Sequence, residues 1–258
     1  MKMRLTLAQM HISPGNLRHN LENAEDFIID AAANTDMILL PELWSSGYDL
    51  SQADFWAETN QEVSQRISAL AQQTNTWIGG SLLKKRKGNI YNTLSLTDPR
   101  GKTHAAYDKI HLFKLMREDK YLAAGDQPVI TELPCGKTGL SICYDLRFPE
   151  IFRHYALSGA RLILISAEWP LVRIEHWRTL LQARAIENQL FIAATNAVGI
   201  SGNTLMGGSS MLIDPWGNII VEGSTETENL LTAELDFDLI NNARKTIPAL
   251  TDRRADVY

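Results

Sequence analysis

Gly139-Leu-Ser-Ile-Cys-Tyr-Asp-Leu-Arg-Phe-Pro149 joins a short apolar run to a segment that cannot carry it further into a sheet. Gly139 to Cys143 reads as a buried strand. Pro149, with a fixed φ and no N–H to satisfy, suits the first position of a helix that runs to about Leu157. Cys143 therefore stands at a strand end just before a helix. Downstream, Leu162 to Ser166 is another buried strand, Val172 to Gln189 a long helix, and Phe191 to Asn196 extends again. Alternation of this kind belongs to α/β architecture.

Towards the N-terminus the pattern repeats and then changes. Arg4 to Gln9 alternates as a strand, Leu17 to Ala33 places Leu21, Ala24, Ile28 and Ala31 at helical spacing, and Met37 to Leu40 is a short buried strand. Glu62 to Gln73 follows as a helix with Val63, Ile67 and Leu70 on one face. Strands at Trp77 to Leu83, Tyr91 to Leu96 and Thr103 to Tyr107 come next, the first two joined across the basic turn Lys84-Lys-Arg-Lys-Gly88. The last third predicts strands near Ser209 to Ile213, Asn218 to Val221 and Leu230 to Leu235, with Asp214-Pro-Trp-Gly217 as a turn and a short helix from Phe237 to Arg244. Hairpins mixed with α/β alternation imply mixed sheets covered by helices, not one all-parallel sheet. Met37-Ile-Leu-Leu-Pro-Glu42 and Leu162-Ile-Leu-Ile-Ser-Ala-Glu168 echo one another as buried strands ending on glutamate. No linker-like tract interrupts the chain, which reads as a single domain over residues 1–258.

Composition removes several functional classes. With 258 residues, 45% hydrophobic and 21% charged, the chain is neither disordered nor fibrous, and a net charge of −5 is the wrong sign for attraction to nucleic acid. The longest apolar runs fall far short of the ~20 residues that cross a bilayer. Without a signal-peptide core at Met1 to Gln9, a cytoplasmic location is expected. Cys135 and Cys143 form neither a disulfide framework nor a zinc-type spacing, so any chemistry by cysteine is that of a thiol; the chain is read as needing no metal or organic cofactor.

Three residues carry chemistry by their positions. Cys143 precedes a helix start, where backbone N–H groups favour an anion and a thiolate can form. Cys135, in Pro134-Cys-Gly136, reads as structural. Glu42 closes an apolar strand, where desolvation suits a general base, although such a glutamate is as readily a cap or ion-pair partner. Lys109 lies just past a strand and can place a fixed cation near a developing oxyanion, or simply face water. Taken together, a base, a cation and a nucleophile would meet at one edge of a sheet, where α/β proteins keep their sites. A histidine-based design would draw on His111, His154 or His176. A tight elbow would flank the cysteine with glycine, whereas Ser141 and Asp145 stand there.

Leu40-Pro-Glu-Leu-Trp-Ser-Ser-Gly-Tyr48, Tyr107-Asp-Lys-Ile-His-Leu-Phe113 and Ser141-Ile-Cys-Tyr-Asp-Leu-Arg-Phe-Pro-Glu150 resemble, in order and spacing, the three signature segments of the nitrilase superfamily of carbon–nitrogen hydrolases. Gln182-Ala-Arg-Ala-Ile-Glu-Asn-Gln189 and Asp214-Pro-Trp-Gly217 also look like family features. The resemblance implies an αββα four-layer sandwich of mixed sheets. It implies Glu42 as general base, Lys109 as oxyanion stabiliser, Cys143 as nucleophile and Glu118, in the less regular Lys114-Leu-Met-Arg-Glu-Asp119, as a second glutamate that orients substrate and lysine. The N–H of Tyr144 would be a further oxyanion donor. A homodimer or larger homo-oligomer is implied as well, paired through Pro149 to Leu157 and Val172 to Gln189.

Within that superfamily, Cys143 to Pro149, Ala167-Glu-Trp-Pro170 and Arg173-Ile-Glu-His-Trp177 look most like the ω-amidase group, whose substrates are terminal amides of 2-oxo acids such as 2-oxoglutaramate. On this reading Trp169 lines the pocket, and Arg173 or Arg147 grips the distal carboxylate with paired hydrogen bonds. Nitrile, N-carbamoyl or oxidised, deaminated glutathione substrates, and a non-catalytic ligand-binding member, are the alternatives.

Overall fold

A computed structural model describes residues 1–257, so Tyr258, the end of the expected 1–258 unit, lies outside the described residues. The first half contains β1 (Lys2–Gln9), α1 (Leu17–Ala32), β2 (Met37–Leu39), α2 (Ala53–Thr74), β3 (Trp77–Arg86), β4 (Asn89–Thr97), β5 (Thr103–Asp108) and the single turn α3 (Glu118–Tyr121). The second half contains β6 (Ile130–Leu133), β7 (Gly136–Ile142), α4 (Pro149–Leu157), β8 (Leu162–Ala167), α5 (Ile174–Asn188) and β9 (Phe191–Asn196). It ends with β10 (Val198–Ser201), β11 (Thr204–Gly207), β12 (Met211–Ile213), β13 (Ile219–Glu222), β14 (Asn229–Asp236) and α6 (Asp238–Thr246).

Two six-stranded sheets result, ordered β14-β1-β2-β3-β4-β5 and β13-β12-β9-β8-β7-β6, with β10 and β11 as a separate hairpin. Both are mixed, because β2 runs parallel to β1 and β3, and β8 parallel to β7 and β9, while the outer pairs are antiparallel. The period-2 alternation of β2 explains the layering. Met37 and Leu39 join the core between the sheets, with Leu5, Leu140, Ile142 and Leu164, whereas Ile38 and Leu40 pack with Ile28, Ile67 and Leu70 of α1 and α2. On the far side Phe152, Trp177 and Leu181 of α4 and α5 cover the second sheet. The architecture is the αββα sandwich of mixed sheets.

The echo between the β2 and β8 segments becomes a contact between the facing sheets. Ser166 Oγ donates to the Leu40 carbonyl at 2.8 Å, and Glu42 N–H to the Ala167 carbonyl at 3.4 Å. The sheets are thus stitched together at the edge where both strands end.

Several boundaries differ from the sequence expectation for identifiable reasons. Helix α2 begins at Ala53, not Glu62, because Asn60 occupies a buried position in phase with Trp56, Val63 and Ile67. Its amide accepts from Ser45 Oγ and donates to the Leu83 carbonyl, so a polar residue interrupts the apolar stripe without being solvated. The strand β6 and the hairpin β10–β11 were not foreseen; each strand has four residues and carries little periodic signal. Helix α5 starts at Ile174, after a 3₁₀ turn over Leu171–Arg173. Only Lys87 and Gly88 of the basic cluster, both at positive φ, form the hairpin turn; residues 84–86 continue β3, and Lys84 Nζ donates to Ser95 Oγ at 2.8 Å, because the cross-strand pairing runs on to Arg86 and Asn89.

Strand β7 aims the chain at Cys143, and its packing leaves no slack. A Cβ on Gly139 would stand 2.6 Å from Tyr155 Cδ2, against a fully buried ring whose hydroxyl donates to the Leu140 carbonyl. Gly139→Ala is expected to lower stability by about 1–3 kcal/mol through overpacking, read as a fall in the urea midpoint at constant slope.

Candidate active site

Glu42 follows β2, Lys109 follows β5, Cys143 follows β7 and Glu168 follows β8. The first pair therefore comes from one sheet and the second from the other, which corrects the expectation of a single sheet edge. Their meeting point is buried. Lys109 Nζ donates to Glu42 Oε1 and to Glu118 Oε1, each at 2.7 Å, with all three side chains inaccessible to solvent. Burial alone would push the lysine pKa down, but Glu118 and Glu42, with Cys143 beyond them, carry it well above the ordinary value. The ammonium is fixed in its charged form.

The carboxylates are held from every side. Asn92 Nδ2 donates to Glu42 Oε1 at 2.8 Å, and the Glu168 N–H to Glu42 Oε2 at 3.0 Å. Glu118 receives the Tyr48 hydroxyl on Oε1 at 2.7 Å and the Phe113 N–H on Oε2 at 2.6 Å. Burial raises the Glu118 pKa, with Lys109 opposing the shift and Glu42 adding to it. The irregular segment that carries Glu118 thus places it beside Lys109, as the resemblance implies.

Cys143 sits in the left-handed region at φ 45°, at the start of a 3₁₀ turn over Cys143–Arg147. A non-glycine residue there costs about 1–3 kcal/mol, a strain that the surroundings must impose. The turn is tight even though no glycine flanks the cysteine, contrary to the inference drawn from Ser141 and Asp145. Asp145 supplies the restraint. Its buried carboxylate accepts from Tyr107 Oη at 2.7 Å, from the Ile142 N–H at 3.0 Å and from the His111 N–H at 3.0 Å, and it pairs with His111 Nδ1 at 2.8 Å. From the other side Arg184 of α5 donates through Nε and Nη2 to the Leu146 carbonyl. Burial, then the adjacent Glu42 carboxylate, raise the Cys143 pKa well above the ordinary thiol value, and Lys109 pulls the other way. Burial and the Glu42 side chain therefore favour the thiol over the thiolate at Cys143.

Cys143 opens on a pocket lined by Phe113, Tyr144, Arg147, Glu168, Trp169, Pro170 and Arg173. Trp169 is rigid, its indole N–H bonded to the Arg173 carbonyl at 2.9 Å and its backbone N–H to Asn196 Oδ1 at 2.6 Å. The Arg147 guanidinium lies 4.7 Å from the centre of the Trp169 ring, and that of Arg173 lies 5.5 Å from the centre of Phe113. Among the described residues neither arginine has an acidic partner; Arg147 reaches only His176 Nδ1, at 3.3 Å. Desolvation and then the Arg173 charge depress the Arg147 pKa, as expected of two cations facing one cavity. The histidines play no comparable part: His111 is tied to Asp145 and stacked on Phe148, and His154 and His176 are exposed. Cys135 is buried beside Thr138, away from the pocket.

Four residues of this site escaped the sequence reading. Asn92 is legible in retrospect as a polar residue in phase with Ile90, Leu94 and Leu96 on a buried strand face. Tyr48, Asp145 and Glu168 stood inside quoted segments, but nothing in their spacing shows what they touch.

The sequence matches the profile of the carbon–nitrogen hydrolase family over residues 4–245. It is 40% identical over 260 residues to a 2-oxoglutaramate amidase of Bacillus subtilis, covering 100% of both chains. The fold matches a CN-hydrolase superfamily protein of Xanthomonas campestris that holds an arsenic adduct in its active site, with a TM-score of 0.93, 30% identity and coverage of 99% of this chain and 98% of the other. It also matches an amidase variant of Nesterenkonia sp. AN1 with the acetamide moiety of fluoroacetamide added covalently at its active-site cysteine (TM-score 0.89, 28% identity, 99% and 95% covered).

Lys109→Met would leave buried carboxylates without their cation. Stability near neutral pH is expected to fall by about 3–5 kcal/mol. The loss should shrink as pH falls: carboxyls with folded pKa values raised above the unfolded ones keep their stability at low pH and lose it as pH rises. Denaturant titrations of wild type and variant at neutral and mildly acidic pH check both size and direction.

Proposed function

Because the chain belongs to the carbon–nitrogen hydrolase family, we propose that this cysteine-dependent amidase acts on the terminal amide of a short acid whose other end is a carboxylate, a 2-oxo acid such as 2-oxoglutaramate. The observation that carries the reading is the pair Arg147 and Arg173, facing the Cys143 pocket with no acidic partner among the described residues. Two half-buried guanidiniums without counter-charge favour a carboxylate ligand, and their planar forks suit bidentate binding. The 2-oxoglutaramate amidase relative supports the same substrate class.

In this scheme Glu42 takes the proton of the neutral Cys143 thiol as sulfur attacks the amide carbon, so no thiolate need persist beforehand. The carbonyl oxygen becomes an oxyanion that receives Lys109 Nζ–H and the backbone N–H of Tyr144. Glu118 fixes the lysine and orients the substrate. Glu42 then delivers its proton to nitrogen, the C–N bond breaks, and ammonia leaves an acyl thioester on sulfur. Water loses a proton to Glu42 as its oxygen attacks the thioester. The C–S bond breaks, the sulfur recovers that proton and the acid departs. Trp169 forms a rigid wall for the chain between the two ends.

The scheme extends to assembly as a homodimer or larger homo-oligomer through α4 and α5, where Leu157 and Ile186 are exposed. Elution at the monomer mass in gel filtration would exclude it. The expected location is cytoplasmic; no helix among the described residues is long and apolar enough to cross a membrane.

Ammonia release from 2-oxoglutaramate, with glutamine, asparagine and a nitrile as comparators, tests the substrate. The 2-oxo acid amide should be preferred, and Arg147→Met and Arg173→Met should each raise KM about tenfold or more, the cost of losing a charge-assisted hydrogen bond. Unchanged KM in both variants would remove the arginines from substrate binding.

A further inference from the structure

Glu168 is the carboxyl group that the scheme above leaves without work. Its backbone already belongs to the centre, the N–H bonded to Glu42 Oε2 and the carbonyl accepting weakly from Cys143 Sγ at 3.9 Å. Glu168 as a whole is 1% exposed, and it is among the residues that line the pocket shared by Cys143, Trp169 and the two arginines. Ser201 Oγ, on the β10–β11 hairpin, donates to Oε2 at 3.0 Å, and Oε1 is buried with no partner. A buried oxygen left without a partner is destabilising, so its persistence asks for a use.

The charge balance says which form that oxygen takes. Lys109 is the one cation hydrogen-bonded within this cage, and it is already matched by Glu42 and Glu118. Burial, then the Glu42 charge, push the Glu168 pKa well up, towards the neutral acid. A carboxylic acid offers one O–H donor. With Oε2 accepting from Ser201, the hydroxyl falls on Oε1 and requires an acceptor. A ketone oxygen only accepts, an ammonium only donates, and a methylene does neither.

We propose that Glu168 selects the substrate by donating a hydrogen bond from its carboxyl hydroxyl to the 2-oxo oxygen, favouring 2-oxo acid amides over 2-amino and unsubstituted ones. The inference rests on the substrate orientation given above, amide at Cys143 and carboxylate at the arginines, because the 2-oxo group then lies beside the carboxylate within the pocket that Glu168 lines. Polar groups placed to bind one substrate oxygen discriminate strongly against analogues that lack it.

The test compares kcat/KM for 2-oxoglutaramate with kcat/KM for 5-amino-5-oxopentanoate, the same chain without the 2-oxo oxygen. Wild type should favour the 2-oxo compound. Glu168→Gln should keep the ratio, its amide accepting from Ser201 and donating to the ketone, and Glu168→Leu should lower it about tenfold. An unchanged ratio in Glu168→Leu, including an equal loss on both compounds, overturns the proposal, as does loss of the ratio in Glu168→Gln. If Glu168→Leu does not fold, Glu168→Asp decides, since its retracted carboxyl should lower the ratio, and an unchanged ratio overturns the proposal. A wild type inactive on both compounds refutes the arginine reading and this one with it. An active wild type with an insensitive ratio refutes only the role of Glu168.

Discussion

An ammonium group taken wholly out of water survives only where carboxylates replace its hydration shell, and the centre of this protein is organised around that requirement. Lys109 holds Glu42 and Glu118 at equal distance, and each carboxylate is fixed by further donors: Asn92 and the Glu168 backbone on one side, Tyr48 and the Phe113 backbone on the other. The donors come from both sheets and from the loops between them. A cation so enclosed cannot swing away. The result is a preorganised positive charge in a buried site, held between Glu42 and Glu118.

The cysteine is constrained differently. Cys143 is held at positive φ by Asp145 beneath the turn and by Arg184 behind it, so backbone strain is balanced by buried hydrogen bonds. In the proposed scheme the thiol and the neighbouring Glu42 act as a pair, proton transfer and attack occurring together. That scheme suits an amide, whose nitrogen must be protonated before it leaves, because the group that takes the proton also returns it.

Much of this was legible in the chain. Buried strands in mixed sheets are short apolar runs, and the polar residue that follows each run marks where the strand leaves the core; Glu42, Lys109 and Cys143 were found in that way. Their being brought together from two facing sheets was not legible, since nothing in β2 or β7 records which sheet each joins. The start of α2 was hidden by Asn60, a buried asparagine that breaks the stripe while its hydrogen bonds are satisfied. Glu168 was visible as the end of a strand that echoed β2 and inside the segment Ala167-Glu-Trp-Pro170, but not as a side chain with a task. Its contacts depend on Ser201, in a hairpin of two four-residue strands too short to announce itself.

Intact-mass analysis of the enzyme quenched during turnover of 2-oxoglutaramate tests the central claim most directly. The account predicts a transient adduct on Cys143 equal in mass to the substrate less ammonia, absent in Cys143→Ala, which should release no ammonia above background. Ammonia released by Cys143→Ala at the wild-type rate would contradict it.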